Sequence, residues 1–124
     1  FKVKNIKLNV SAPFHCKLMK RATEKLKNEI LNLNFREIKN PIISNFTANS
    51  SISGFEIKNL LVSQIEGRVK WFESVKFMTN KGTKNFIEIG PGKVLSGLIK
   101  RIEKNANVKS VNSENDIKEL TTYV

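Results

Sequence analysis

His15 is the only imidazole among 124 residues, and it lies in the run Ser11-Ala12-Pro13-Phe14-His15-Cys16. Proton transfer near neutral pH falls first to this side chain, because an unperturbed imidazole titrates there. An alternating pattern precedes it and an amphipathic helical pattern follows. His15 is therefore expected on a strand-to-helix junction, the kind of segment on which a scaffold presents reactive groups. The plain alternative is a half-buried histidine whose ring nitrogens are hydrogen-bonded. Two further stretches could carry chemistry. Gln64 closes one helical pattern just ahead of Gly67-Arg68-Val69-Lys70-Trp71, and Phe86 to Ile102 reads as a strand, a Gly90-Pro91-Gly92 turn and a helix. Such a turn can aim backbone N–H groups at an anion. It has neither P-loop spacing nor the third glycine of a dinucleotide fingerprint, so a tight turn is the simpler reading. Gly97, inside the following helix, is expected to mark close helix–strand packing.

Composition narrows the classes. Cys16 is the only cysteine, which excludes an internal disulfide framework, and with His15 it offers too few ligands for structural zinc. No metal and no resident cofactor is expected. The net charge is +11, from 22 Lys+Arg against 11 Asp+Glu. The lysines are scattered, from Lys2 to Lys118, without a base-stacking aromatic pattern, so nucleic acid is not the expected partner. An acidic protein or a phosphate-bearing ligand suits the charge better. No apolar run approaches the roughly 18 residues of a membrane span, and a cytoplasmic setting is expected. A start on Phe1, close to a strand pattern, suggests a piece of a larger protein.

The positioning elements follow from periodicity. Ile6, Leu8 and Val10 alternate with Lys7 and Asn9, a strand with one buried face over Lys4 to Val10. Pro13 stops pairing because it has no N–H. From Lys17 to about Leu33 the apolar spacing is helical. Pro41 to Asn45 reads as a buried strand, and Phe46 to Gly54 as a polar loop. Helices are expected over Phe55 to Ile65 and over Arg68 to Asn80, the latter with Phe72, Val75 and Met78 or Thr79 inward and Gly82 as its stop. Asn85 to Ile89 reads as a strand, and Val94, Leu95, Leu98, Ile99 and Ile102 form a helix stripe reaching about Glu103. Lys109 to Val111 is a further short strand. Ser113 with Asp116 resembles a capping box opening a helix through Leu120. Strands alternating with helices indicate an α/β layered fold with a parallel sheet.

Taken together, Val10-Ser-Ala-Pro-Phe-His-Cys16, then Gln64 through Trp71, then Glu88-Ile-Gly-Pro-Gly-Lys-Val-Leu-Ser-Gly-Leu98 resemble the C-terminal portion of the malonyl-CoA:acyl-carrier-protein transacylase family. The acyltransferase domains of polyketide and other modular synthases share the pattern. The resemblance runs from about Asn5 to Leu120. It implies the C-terminal part of an α/β-hydrolase-like acyltransferase core over residues 11–124. Residues 1–10 would be the last strand of, or the link from, a small ferredoxin-like subdomain.

The implied activity is transfer of a malonyl group from coenzyme A to the phosphopantetheine thiol of acyl carrier protein through a serine ester. By position, His15 matches the family's catalytic base, and Gln64 the residue whose carbonyl accepts a hydrogen bond from the other ring nitrogen. Phe14 matches an aromatic position that accompanies malonyl selectivity; wall packing is its alternative. Lys100 and Arg101 match a basic pair associated with docking the acidic carrier protein, or they simply answer a helix C-terminal dipole. The family's Gly-His-Ser-x-Gly elbow is absent from this sequence, as is its carboxylate-binding arginine. The chain is thus expected to hold half a site, completed by a missing N-terminal part, and to be inactive alone. A non-catalytic basic module that binds an acidic protein is the rival reading.

Overall fold

In the computed structural model, residues 12–36 and 38–120 are described. The strand expected over Lys4 to Val10, and with it the subdomain assignment of residues 1–10, lies outside them. The chain divides into two compact units between Lys70 and Trp71.

In the first unit, a 3-10 turn at Lys17–Met19 leads into α1 (Lys20–Asn32), the helix its apolar spacing predicts. α1 packs on α2 (Gly54–Glu66), and Ala22, Ile30 and Leu31 are half-buried while its lysines are exposed. Lys58 reaches over the Phe35 ring, 5.6 Å from its centroid, and donates to the Leu31 carbonyl at 3.1 Å. A cation there satisfies a carbonyl that the end of α1 leaves without a helical partner. Ser53 caps α2, its hydroxyl accepting the Glu56 N–H at 3.3 Å, and the Glu56 carboxylate accepts from the Ser51 hydroxyl.

Between the helices, β1 (Ile42–Ile43) pairs antiparallel with β2 (Ser50–Ser51). The strand expected over Pro41 to Asn45 is thus a two-residue hairpin arm, not a buried strand, and Ile42 is 45% exposed. Local chemistry shortens it. Pro41 cannot donate, and the Ser44 hydroxyl accepts the N–H groups of Phe46 and Thr47 at 3.2 and 3.4 Å, drawing the backbone into a turn.

The second unit runs α3 (Trp71–Asn80), β3 (Asn85–Ile89), α4 (Val94–Ile102), β4 (Asn107–Val111) and α5 (Glu114–Leu120). β3 and β4 are parallel, in register from Asn85 opposite Asn107 to Ile89 opposite Val111, with α4 as the crossover that parallel strands require. Val75, fully buried, forms the core with Ile99 and Ala106; Trp71, Met78, Phe86, Ile102 and Val108 pack around them. The inward stripe of α3 is therefore Trp71, Val75 and Met78, and the expected inward Phe72 is 57% exposed. The helix begins at Trp71 rather than Arg68, and this stripe has the i, i+4, i+7 spacing of one helical face.

Gly82, with φ of 92°, ends α3 as expected. Its N–H meets the Thr79 carbonyl at 2.9 Å and that of Thr83 meets Met78 at 3.0 Å, the paired bonds of a left-handed helix stop. Gly97 does not mark a close approach: a Cβ there would meet nothing within 4 Å. The buried neighbour Ser96 makes the contact with the strands instead. The capping box forms, Ser113 accepting from the Asp116 N–H at 3.3 Å and Asp116 from the Ser113 N–H at 2.9 Å.

Candidate functional site

The turn after Pro13 places His15. Phe14 N–H bonds the Ala12 carbonyl at 2.9 Å, and the Cys16 thiol reaches the Pro13 carbonyl at 3.0 Å. Within this knot His15 has φ of 58°, a left-handed conformation that costs a non-glycine residue on the order of 1–3 kcal/mol and collects at functional positions. The ring is exposed. Its Nδ1 lies 2.7 Å from the backbone carbonyl oxygen of Gln64.

That contact fits one tautomer of the neutral ring. A carbonyl oxygen only accepts, so Nδ1 carries the hydrogen and Nε2 keeps its lone pair. The carbonyl is available because α2 ends at Glu66, and the last four carbonyls of a helix have no partner within it. Gly67 continues with φ −94° and ψ 143°, so no further turn reclaims Gln64. The carbonyl also brings the negative end of the α2 dipole to the imidazole.

The sequence motif could not say which carbonyl of Gln64 would serve. It is the main-chain one, while the residue helps line an open hollow of about 180 Å³ with Asn45, Ile57 and Leu61. Phe14, next to the histidine, is 58% exposed. Lys100 and Arg101 are exposed in the last turn of α4 and belong to the second unit. The structure thus brings His15 and Gln64 together within one unit and carries the basic pair on the other.

The Gly90-Pro91-Gly92 turn holds no vacant anion seat. Glu88 fills it. One carboxylate oxygen accepts the Leu95 N–H at 3.0 Å, and the other accepts the Ser96 N–H at 2.8 Å and the Ser96 hydroxyl at 2.5 Å. The Ser96 and Ser110 hydroxyls are 2.7 Å apart, so one network joins β3, α4 and β4. The Ser96 hydroxyl bond, more than the two amides, holds the Glu88 carboxyl below its ordinary value of 4.5. Sequence reasoning missed this role. Its signal was an acid placed just before a glycine-rich turn that opens a helix.

Among the described residues, no group of three His, Cys, Asp or Glu side chains could hold a metal ion, and no helix is long and apolar enough to cross a membrane.

No family model matches the chain. Curated relatives do. The chain is 39% identical over 112 residues to the malonyl CoA-acyl carrier protein transacylase of Bacillus subtilis, covering 90% of the chain and 35% of that protein. With the Staphylococcus aureus transacylase it shares 38% over 111 residues, 90% of the chain and 36% of the relative. The acyl-carrier-protein S-malonyltransferase structure from Bartonella henselae superposes with a TM-score of 0.86 at 36% identity, covering 94% of this chain and 37% of that one. A malonyl-transacylase solved with a type II PKS acyl-carrier protein gives 0.86 at 35% identity, over 94% of this chain and 38% of that one. The chain spans little more than a third of the length of each of these four proteins. By sequence and by fold together, it is homologous to a portion of the malonyl-CoA:acyl-carrier-protein transacylases, the family whose C-terminal motifs it carries.

Proposed function

We propose that the complete protein transfers malonyl from coenzyme A to acyl carrier protein through a serine ester, and that this chain supplies the base half of the site. The fold assigned to this half is the C-terminal part of an α/β-hydrolase-like core, in a cytoplasmic enzyme of fatty-acid synthesis. The observation that carries the reading is the Nδ1–Gln64 carbonyl contact of 2.7 Å, which leaves Nε2 as an acceptor in a chain homologous to transacylases.

In the first half-reaction the serine hydroxyl, supplied by the missing N-terminal part, gives its proton to Nε2 as its oxygen attacks the thioester carbonyl. The imidazolium then returns the proton to the departing coenzyme A sulfur. In the second, the carrier thiol gives a proton to Nε2 and its sulfur attacks the serine ester. The serine oxygen leaves and recovers that proton. The Gln64 carbonyl holds the ring in place throughout, the part a carboxylate plays in a Ser-His-Asp triad. Phe14, beside the base, narrows the space around the malonyl α-carbon. Lys100 and Arg101 dock the acidic carrier protein. Alone, the chain has no nucleophile elbow and is inactive.

The solved neighbour bound to a type II PKS carrier favours a second assignment of the pathway, polyketide synthesis, with the same chemistry. The test of the function is His15→Ala in the complete protein. Malonyl transfer is expected to fall by roughly three orders of magnitude, as loss of an activating base does, with the fold retained. Near-normal transfer by a folded variant would overturn the assignment.

A further inference from the structure

The turn between β1 and β2 has no role in the chemistry above, yet it grips the end of the helix that orients the base. The Lys70 N–H donates to the Asn45 carbonyl at 2.8 Å, tying the segment after α2 to the turn. One residue further along the turn, the Phe46 ring occupies the space that a Cβ at residue 67 would need. Built there, the Cβ would overlap Cδ2 and Cε2 of the ring and come within 2.9 Å of the Ser63 carbonyl oxygen. Phe46 is itself placed by a built turn. Its N–H is held by the Ser44 hydroxyl, Ser44 N–H meets the Asn49 carbonyl at 3.0 Å, Ala48 N–H meets the Ser44 carbonyl at 2.8 Å, and Ala48 is buried with φ of 60°.

The two contacts of the would-be Cβ bracket the peptide that matters. Ser63 directly precedes Gln64, and the ring presses on the residue that ends the helix. A side chain at position 67 would have to displace either the hairpin turn or the last turn of α2. In the second case the Gln64 carbonyl moves away from His15 Nδ1.

We propose that Phe46, seated against Gly67, positions the Gln64 carbonyl and through it the imidazole, making Phe46 and Gly67 positioning residues for acyl transfer. The inference rests on the reading of His15 as the base. Neither residue touches the reacting atoms. Their effect is on turnover, because misplacement of a catalytic group by about an ångström costs up to about a hundredfold in rate without removing a substrate contact.

The experiment is steady-state malonyl transfer by the complete protein, with Gly67→Ala, Phe46→Ala, the double variant and His15→Ala measured in parallel. Gly67→Ala is expected to lower kcat about tenfold or more, with KM for malonyl-CoA nearly unchanged. The double variant relieves the overlap with the ring but keeps the close approach to the Ser63 carbonyl oxygen, so it is expected to recover part of that loss, to no better than the Phe46→Ala level. Rescue is the readout that general destabilisation does not give. A folded Gly67→Ala protein with wild-type kcat, or a folded double variant no faster than Gly67→Ala, overturns the proposal. Should Gly67→Ala not fold, Phe46→Ala decides: kcat reduced severalfold at constant KM supports positioning, and wild-type kcat refutes it. His15→Ala separates the two levels. If it retains activity, the base reading falls; if it is inactive while Gly67→Ala is unimpaired, only the positioning claim falls.

Discussion

Two helix ends in this molecule face the same physical problem and resolve it differently. The C-terminus of α2 leaves the Gln64 carbonyl without a helical donor, and the N-terminus of α4 leaves the Leu95 and Ser96 amides without helical acceptors. At α4 the answer is closed. Glu88 takes both amides and the Ser96 hydroxyl, and Ser110 completes the set. At α2 the answer is open. His15 satisfies the carbonyl with one nitrogen and, among the described residues, keeps the other without a hydrogen-bond partner, on an exposed ring. Both ends bring a titratable group to a helix dipole. On the proposed reading, the α2 end serves proton transfer, and the α4 end acts as a brace.

The contrast predicts opposite signatures. The largest effect is the loss of transfer in His15→Ala described above, with little change in unfolding temperature, since the ring is exposed and holds one hydrogen bond. Glu88→Gln should do the reverse, lowering the midpoint of urea unfolding at pH 7 while the folded fraction keeps its turnover within about threefold. If Glu88→Gln abolished turnover with stability intact, the division into site and brace would be wrong.

The pH dependence sharpens the same division. Hydrogen bonds from Ser96 and the α4 amides hold the Glu88 carboxyl below 4.5 in the folded chain. Unfolded chains therefore bind this proton more readily, and the stabilisation is fully present above about pH 4.5. It is lost as pH falls through the lowered folded value. Asp116, lowered chiefly by the Asn112 N–H and then by the Ser113 hydroxyl, follows the same sign. Urea midpoints taken from pH 6 downward should drop in the wild type, and Glu88→Gln should flatten part of that drop. An unchanged acid limb in the variant would remove Glu88 from the account.

Charge reversal at the exposed pair comes next in size. Lys100→Glu with Arg101→Glu should raise KM for carrier protein roughly tenfold while leaving KM for malonyl-CoA close to normal, as expected when steering of one acidic partner is lost. Equal changes in both constants would assign the pair to the α4 dipole alone. The smallest effect is Gln64→Ala. Because the main-chain carbonyl holds His15, removal of the side chain should leave transfer within about threefold. A loss comparable to His15→Ala would mean that the amide side chain does the orienting.

Periodicity located the elements well where one face dominates. β3 and α4 fall where alternation and the 3.6-residue stripe put them, and the Ser113–Asp116 capping box forms because local side-chain chemistry fixes it. Periodicity failed where side chains compete for the backbone. Ser44 draws two amides into a turn and cuts the expected strand at Ile43. It also failed at α3, where two faces were apolar and Trp71, not Phe72, took the core. The motif around His15 paired it with Gln64, and the two residues meet in the structure. It could not distinguish a main-chain from a side-chain carbonyl. Nor could it reveal that Phe46 would fill the space beside Gly67, a contact made across more than twenty residues of sequence.

The most direct measurement is the tautomer of His15 in the complete protein. Long-range 1H–15N NMR correlation on histidine-labelled material, with the His15→Asn variant assigning the signals, reads which nitrogen bears the hydrogen in the neutral ring. A protonated Nδ1 and a bare Nε2, unchanged in Gln64→Ala, is the result expected from a ring held by the main-chain carbonyl. A hydrogen on Nε2 would contradict it, because that ring could neither donate to Gln64 nor accept the proton of a nucleophile.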